Sequence, residues 1–366
     1  MITRRPTKAF LILSALAQVA PAQLAPVQHR DRLAGHIDNR KYIILRGSRN
    51  PRIDNMTDQG PLDDAERIAG LSLRFKPSAQ QAAELDQLLT DQQNPASPLY
   101  HAWLTPEEFG DRFGLSQSDL TQVTEWLSAQ GFQVDAVARS RTHVVFSGGA
   151  GQVRATFRTA LHRFRDDGGA HYANLSEIAV PSDLAPLIYT VKGLDNFRLK
   201  PGVKLRPLYQ SSSGTSLAGP GDLATIYNVN PLYQKGIDGS GQKIAVIGQS
   251  AVKMSDVRTF RKKFSLPDND PEPILIPGFP DPGFNDDLME AEMDVEIAGA
   301  TAPKATILFV YSEHVYYATQ YAVDQNLAPV ISHSYGVCEK ALFKHLDEID
   351  AWRSIAKQAN AQGITW

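Results

Sequence analysis

The run KIAVIG at Lys243–Gly248 is almost entirely apolar and rich in β-branched residues. Such a run is typical of a strand whose two faces are both buried in a parallel sheet. More strands and helices are predicted after it, in alternation. The predicted strands span residues 272–276, 305–311 and 329–334, and the predicted helices span 255–264, 286–298, 313–324 and 342–362. This alternation predicts an α/β domain with helices on both sides of a parallel sheet.

The sequence ends at residues 363–366, GITW, a pattern typical of the opening of a fifth buried strand. We therefore expect the parallel-sheet domain, which begins at residue 220, to be truncated at its C-terminus. Half of a parallel sheet leaves a buried face and an edge uncovered, so we expect this chain to fold poorly beyond the connector.

Residues 65–198 carry a different pattern, which predicts an α+β domain with an antiparallel, ferredoxin-like sheet. The predicted strands span 68–75, 132–139 and 142–147, with a hairpin over 162–174 that turns at Asp167-Gly168-Gly169. The predicted helices span 78–93, a segment starting at 105, a segment from 116 or 118 to 129, and 151–161. Two helix starts are well marked, because Ser78 is a good N-cap and Thr105-Pro106-Glu107-Glu108 is a capping box with proline in the first turn.

Three further segments precede or join these domains. Residues 1–22 have a basic start, the apolar run AFLILSALAQVA and the small-residue motif Ala20-Pro21-Ala22, a combination typical of an export signal. A buried first helix is the alternative interpretation of that run, which is too short to span a bilayer. Residues 23–64 are polar and lack periodicity, which predicts a linker or loosely packed leader. Residues 199–219 are rich in Ser, Gly and Pro and are predicted to form an exposed connector that a protease can cut.

The composition argues against several classes of partner. The 366 residues carry a formal net charge of −3, which indicates neither nucleic acid nor an anionic membrane as a partner. The single cysteine, Cys338, excludes an intrachain disulfide and is interpreted as a buried thiol. The sequence contains no metal-ligand motif, phosphate loop or dinucleotide fingerprint. We expect a soluble, secreted protein.

The densest group of acidic residues is Glu290-Ala-Glu292-Met-Asp294-Val-Glu296. Residues four apart share one face of a helix, so Glu290 and Asp294 are predicted to point the same way and Glu292 to point elsewhere. Two neighbouring carboxyls can share one proton, which holds one of them neutral and the other charged. A solvated acidic face is the alternative interpretation, but buried strands flank this helix and the small residues 298–300 favour close packing. Glu290 and Asp294 are therefore candidate catalytic residues.

Residues 290–308, EAEMDVEIAGATAPKATIL, resemble the catalytic helix of the sedolisins, the serine-carboxyl peptidases with a subtilisin-like fold. Four other stretches resemble the same family in family order, namely 217–228 (LAGPGDLATIYN), 236–250 (GIDGSGQKIAVIGQS), 260–266 and 330–339 (VISHSYGVCE). Upstream, residues 100–114 (YHAWLTPEEFGDRFG) and the strands around them resemble the pro-kumamolisin-like activation domain, the inhibitory propeptide of that family. The resemblance covers residues 68–366.

The resemblance implies a reaction in which a serine attacks the peptide carbonyl and a glutamate replaces histidine as general base. Matched onto this chain, the base is Glu290 and the aspartate that orients it is Asp294. A glutamate has a reference pKa of about 4.3 against about 6.5 for histidine, so the enzyme is expected to act in acid. A second aspartate of the family donates a hydrogen bond to the oxyanion in its protonated form. That aspartate, the nucleophilic serine and the family's calcium ligands are all expected after Trp366.

The resemblance also implies an order of functional parts. These parts are a signal peptide (1–22), a leader (23–64), the activation domain (65–198), the connector (199–219) and the N-terminal part of a subtilisin-like peptidase domain (220–366). The activation domain is expected to bind its own peptidase domain and to inhibit it until the connector is cut. Peptide or protein substrates, a calcium cofactor and a monomeric state are expected. The chain itself is expected to be inactive, because its nucleophile lies elsewhere.

Several alternatives remain at this stage. The chain could be a non-catalytic inhibitor or folding module, or a pseudoenzyme with the same fold and an altered nucleophile. The Gly-Thr-Ser sequence ending at Ser216 resembles a serine-nucleophile turn, but it lies in the connector, so a flexible linker explains it better. An ordinary subtilisin needs an aspartate and a histidine at positions that here hold Gln249 and Glu290.

Three histidines have their own predictions. His333 is predicted to be a packed core residue. His162 and His171 lie in the activation domain, where protonation in acid is hypothesised to loosen its contacts.

Overall fold

The computed structural model describes residues 31–166, 169–201, 219–336 and 346–366. The elements before residue 199 form an antiparallel unit. Its strands are β1 (Tyr42–Leu45), β2 (Thr57–Pro61), β3 (Arg67–Phe75), β4 (Gln133–Val137), β5 (His143–Gly149), β6 (Leu161–Asp166), β7 (Gly169–Asn174), β8 (Ile178–Pro181) and β9 (Ile188–Lys192). Its helices are α1 (Ala79–Gln93), α2 (Pro106–Phe113), α3 (Gln117–Ala129) and α4 (Ala150–Phe157), and Pro51–Asn55 forms a short 3-10 helix.

The remaining elements belong to a second unit built around a parallel sheet. Its strands are β10 (Lys200–Pro201), β11 (Lys243–Gly248), β12 (Glu272–Leu275), β13 (Thr306–Tyr311), β14 (Val330–Ser332) and β15 (Tyr335–Gly336). Its helices are α5 (Pro220–Ile226), α6 (Asn230–Gln234), α7 (Met254–Lys263), α8 (Leu288–Thr301), α9 (Val315–Asp324) and α10 (Leu346–Ala361).

The main sheet of the first unit has the strand order β4-β5-β3-β9, and each neighbouring pair is antiparallel. Helices α1 to α3 connect β3 to β4, and α4 follows β5. A second antiparallel sheet of order β2-β6-β7 and the pair β1-β8 complete the unit. The structure therefore confirms the prediction of an antiparallel α+β arrangement before the connector.

The helices of this unit start where capping residues predict. The Ser78 hydroxyl accepts a hydrogen bond from the backbone N–H of Gln81, and the Gln81 side-chain oxygen accepts one from the backbone N–H of Ser78. Thr105 and Glu108 form the same reciprocal capping box. Of the two serines considered for α3, Ser116 is the cap. Each such cap stabilises its helix by about 1 kcal/mol.

The core of the first unit contains a cluster of aromatic rings between the sheet and helices α3 and α4. Phe146 and Phe157 are fully buried, and Trp126 and Phe132 are 5% and 4% exposed. The centroid of the Phe157 ring lies 5.9 Å from that of Phe132, 6.2 Å from that of Phe146 and 6.3 Å from that of Trp126. Rings at these separations add about 0.5–1.5 kcal/mol per pair to the burial of their area.

Residues 23–64 were predicted to form a linker or loosely packed leader, but the described part of this segment forms two paired strands. Strand β1 pairs with β8 and strand β2 pairs with β6, so both leader strands are held by segments about a hundred or more residues away. Leu33 and Leu62 are 6% and 4% exposed and belong to the main core of the unit. The local hydrophobic pattern did not predict these strands, because the buried residues are scattered singly among polar ones. Their contact partners are also distant in sequence.

Helix α4 is shorter than predicted. It ends at Phe157 because Arg158 adopts a left-handed conformation with φ 57°, and Leu161 already begins strand β6. The predicted hairpin is confirmed by the pairing of β6 with β7, although residues 167–168 of its turn lie outside the described residues. The export signal, most of the connector with Ser216, and Cys338 also lie outside them.

The second unit contains a parallel sheet of order β12-β13-β11-β14. Strand β11 is buried on both faces: Ala245 and Ile247 contact the core formed with α9 and α10, and Val246 contacts the core formed with α7 and α8. Thr365 bridges Val330 in parallel, at the place of the predicted fifth strand. The parallel sheet with helices on both sides is therefore confirmed.

Candidate active site

Helix α8 packs on one face of the parallel sheet, and its first two turns carry both candidate carboxylates. Ala291 and Val295 are 0% and 2% exposed and pack with the residues of β11 and β13. Near the end of α8, the Arg261 side chain donates to the carbonyl of Gly299 at 3.2 Å, and a Cβ on Gly299 would lie 3.0 Å from the same guanidinium. The predicted close packing of the small residues is thus present, and it fixes α8 against the sheet.

Glu290 lies on the first turn of α8 and is buried, with 5% of its surface exposed. Burial, together with the nearby carboxyls of Asp294 and Asp287, raises the pKa of Glu290 to about 7. With this pKa, Glu290 is mostly protonated in acid and takes up or releases its proton near neutral pH.

Asp294 lies one turn after Glu290 and is partly buried. Its Oδ1 accepts a hydrogen bond from the Ser334 hydroxyl at 2.8 Å, and its Oδ2 is buried without a hydrogen-bond partner among the described residues. Burial raises the pKa of Asp294 to about 6, and the bond from Ser334 opposes that shift. Asp294 is therefore held in place by one oxygen while the other remains open to a proton or to a further group.

The residues around the pair come from the carboxyl ends of parallel strands, where α/β folds commonly place their sites. Gln249 directly follows β11, and its Nε2 donates to the Asp287 carboxylate at 2.9 Å. Tyr335 follows β14; burial and the carboxyls of Asp287, Asp294 and Glu290 raise its pKa. The Tyr335 hydroxyl and the Gln249 Oε1 are buried without hydrogen-bond partners in the described part of the chain.

Sequence reasoning assigned no role to Ser334, Tyr335 or Asp287. The available signal was the position of Ser334 and Tyr335 at the end of a predicted parallel strand, at the edge of the sheet that also receives the N-terminal turn of α8. Glu292 was predicted to point elsewhere, and its Oε1 accepts the backbone N–H of Lys253 at 3.1 Å, away from the pair.

The first residues of the connector lie beside this site. Lys200 and Pro201 pair in antiparallel register with Gly336 and Tyr335, and Gln249 Nε2 donates to the carbonyl of Leu199 at 2.7 Å. An extended segment that adds a strand beside a site is a common mode of peptide recognition. The connector thus enters as a strand at the candidate site, where the sequence predicted an exposed segment.

The three histidines do not join the carboxylate pair. His333 is partly buried among aromatic rings, with the Trp352 ring centroid at 5.4 Å and that of Trp366 at 5.7 Å, and burial lowers its pKa to about 4. His162 Nδ1 lies 2.9 Å from both carboxylate oxygens of Asp58, and His171 Nε2 lies 3.8 Å from Asp166. Protonation of these two histidines strengthens such contacts, so the hypothesis that it loosens them in acid is not supported by this geometry.

The raised pKa of Glu290 predicts how its replacement changes stability with pH. Between about pH 4.5 and pH 7 the folded protein binds a proton at Glu290 that the unfolded chain has released, so this contribution to stability is lost as the pH rises. Glu290→Gln should therefore gain about 1–3 kcal/mol relative to the wild type on going from pH 4.5 to pH 7. Urea unfolding at the two pH values measures this gain.

The exposed Glu125 provides the control for this measurement. Glu125→Gln removes the same charge from the surface of α3, and its stability relative to the wild type should change little over the same pH interval. A Glu290→Gln difference that is equally flat would contradict the burial argument.

Neither a metal centre nor a membrane segment emerges from the described residues. Among residues 31–166, 169–201, 219–336 and 346–366, no three His, Cys, Asp or Glu side chains are arranged to hold a metal ion. The calcium ligands implied by the resemblance remain a prediction for residues outside these ranges. No helix in these ranges combines the length and the apolar character needed to cross a bilayer.

Comparison with known families identifies the class of the first unit. Residues 54–197 match the family described as "Pro-kumamolisin, activation domain". This match covers the antiparallel sheets from the end of the 3-10 helix onward. A unit similar to this activation domain thus precedes the parallel α/β unit.

Three curated relatives extend the match into the parallel unit. The chain is 26% identical over 295 residues to kumamolisin from Bacillus sp. (strain MN-32), covering 75% of this chain and 50% of the relative. It is 27% identical over 296 residues to sedolisin from Pseudomonas sp. (strain 101), covering 76% of this chain and 49% of the relative. It is 31% identical over 163 residues to xanthomonalisin from Xanthomonas sp. (strain T-22), covering 44% of this chain and 19% of the relative. The chain is similar to members of the sedolisin family, and it matches about half the length of the first two relatives.

Proposed function

We propose that this chain is the precursor part of a secreted, acid-acting serine-carboxyl peptidase in which Glu290 is the general base and Asp294 orients it. The observation that carries this proposal is the pair itself: two carboxyls one helical turn apart, at the ends of parallel strands, both with a raised pKa. The strand order of the first unit supports a ferredoxin-like activation domain, and the buried parallel sheet supports a subtilisin-like peptidase unit.

In the proposed reaction, a serine supplied from outside this chain attacks the peptide carbonyl. Ionised Glu290 takes the hydroxyl proton as the new carbon–oxygen bond forms. It then gives the proton to the leaving nitrogen as the peptide bond breaks. Water hydrolyses the acyl-enzyme by the same two proton transfers. Asp294 keeps Glu290 in position, and its own position depends on the hydrogen bond from Ser334.

The first residues of the connector support a way in which such a peptidase could be kept inactive. Its entry strand β10 pairs with β15 beside the carboxylate pair, at a place where a substrate strand would add. We propose that the activation domain with this strand covers the site until the connector is cut. Secretion through residues 1–22, a monomeric state and calcium ligands outside this chain remain predictions.

An activity assay tests the proposal. The chain extended to the length of its relatives should cut its own connector and hydrolyse a denatured protein at about pH 4, and should do neither at pH 8, because the carboxyl that donates to the oxyanion is protonated only in acid. The 366-residue chain alone should hydrolyse nothing under the same conditions. Acid proteolysis by the 366-residue chain would refute the placement of the serine, and an inactive extended protein would leave the inhibitor or pseudoenzyme as the function.

A further inference from the structure

A buried carboxylate lies at the contact between the two units, far from the candidate active site along the sheet. Asp324 is the last residue of α9 and is 4% exposed. Its Oδ1 accepts hydrogen bonds from the backbone N–H of Ser140 at 3.0 Å and from the Ser140 hydroxyl at 2.5 Å. Its Oδ2 accepts the backbone N–H of Arg139 at 2.9 Å. All three donors belong to the turn between β4 and β5 of the activation domain.

The position of Asp324 is unfavourable for the parallel unit by itself. A negative charge at the C-terminal end of a helix opposes the helix dipole. A carboxylate is also costly to bury unless hydrogen bonds compensate its lost hydration. Within its own unit, the hydrogen bond to Asp324 comes from the adjacent Gln325 side chain at 3.4 Å. The hydrogen bonds that compensate the lost hydration of Asp324 therefore come from the activation domain. Hydrogen bonds to a charged acceptor are stronger than those between neutral groups.

The turn that receives Asp324 is held in shape by its own domain. Arg141 has a φ of 51°, donates its N–H to the carbonyl of Ala138 at 2.9 Å and accepts the N–H of Leu115 at 3.1 Å. A Cβ on Gly114 would lie 2.4 Å from the Ser140 carbonyl oxygen, so α2 and this turn pack without a gap. The three donors are thus arranged before they meet the carboxylate, which lowers the entropy lost on docking.

A second polar contact lies at the end of the neighbouring helix. The backbone N–H of Leu104 and the Gln92 Nε2 donate to the carbonyl of Ala361, the last residue of α10, at 2.9 Å and 3.1 Å. Arg139 Nη1 similarly donates to the carbonyl of Gln325 just after α9 at 3.2 Å. The activation domain therefore donates hydrogen bonds to acceptors at the C-terminal ends of α9 and α10. Of these acceptors, the Asp324 carboxylate is charged and the others are backbone carbonyls.

We propose that Asp324 is the anchor through which the peptidase unit recognises its activation domain, with the turn at Arg139 and Ser140 as the matching donor site. The interpretation of this contact as recognition of an activation domain rests on the proposed function. The partner is defined by its chemistry as a rigid turn that presents two consecutive backbone N–H groups and a serine hydroxyl. A carboxamide at position 324 would face one of these donors with its own N–H.

Hydrogen exchange of the whole chain tests the anchor. In Asp324→Asn, the backbone amides of residues 138–142 and of the last turn of α9 should exchange about tenfold faster or more than in the wild type. Ser140→Ala removes one of the three donors and should give a smaller increase in the same segments. It also keeps the test usable if the asparagine variant does not fold.

Asp111→Asn is the matched control. Asp111 pairs with Arg141 of the same turn at 2.8 Å, its side chain is 69% exposed, and the pair does not cross to the parallel unit. Exchange in this variant should equal that of the wild type. Unchanged exchange in both Asp324→Asn and Ser140→Ala, or equal acceleration in Asp111→Asn, would overturn the anchor. A failed peptidase assay would not alter any of these exchange rates, so the two proposals fail separately.

Discussion

Glu290→Gln in the protein extended to the length of its relatives is expected to lower kcat at about pH 4 by about 10²–10⁴-fold, since a positioned general base contributes a factor of that size. The amide has nearly the shape of the carboxyl but cannot accept the serine proton. Glu290 is buried and carries a raised pKa, so its neutral replacement should leave the fold intact. The measurement is kcat on a peptide substrate, together with the melting temperature of each variant.

Asp294→Asn in the same protein should lower kcat as well, because it removes the carboxyl that Ser334 holds beside Glu290. Glu292→Gln is the matched control: it lies on the same helix, accepts a backbone N–H from Lys253 and faces away from the pair. Its kcat should stay within about twofold of the wild type, the scatter expected of a replacement outside the site. Equal activity of Glu290→Gln and Glu292→Gln would refute the assignment of Glu290 as the base.

The features that sequence predicted well are those whose cause is local. Strand β11 could be predicted because a strand buried on both faces needs a continuous apolar run. The helix starts at Ser78 and Thr105 could be predicted because a cap and its partner are three residues apart. The carboxylate pair could be predicted because four residues separate neighbours on a helix.

The features that sequence missed depend on partners far along the chain. Strands β1 and β2 form because β8 and β6 offer them free edges, and Leu33 is buried by residues that follow it by dozens of positions. The pairing of the connector's first residues with β15, more than a hundred positions later, was not predicted. The role of Asp324 is of the same kind, because its donors at Arg139 and Ser140 lie in the other unit.

Phe157→Ala is expected to cause the largest loss of stability in the activation domain, about 3–5 kcal/mol. Phe157 has no exposed surface and its ring contacts those of Trp126, Phe132 and Phe146. Truncation removes apolar area and leaves a cavity between the sheet and α4. The rings around it are fixed by β5, by α3 and by the strand β4 that follows Phe132, so they can fill that cavity only in part. Urea unfolding of the whole chain, followed by the near-ultraviolet circular dichroism of its aromatic side chains, measures the loss.

Phe284→Ala is the appropriate comparison, because it removes the same atoms from a side chain that is 60% exposed. Its cost should stay below about 1 kcal/mol, as expected for a surface replacement. The two variants together separate burial from the chemical change. If Phe157→Ala cost no more than Phe284→Ala, the aromatic cluster would not be the core that holds the activation domain together. A large loss confined to Phe157→Ala would instead show that this core determines how firmly strand β3 and the β4–β5 turn, the parts that meet the parallel unit, are held in place.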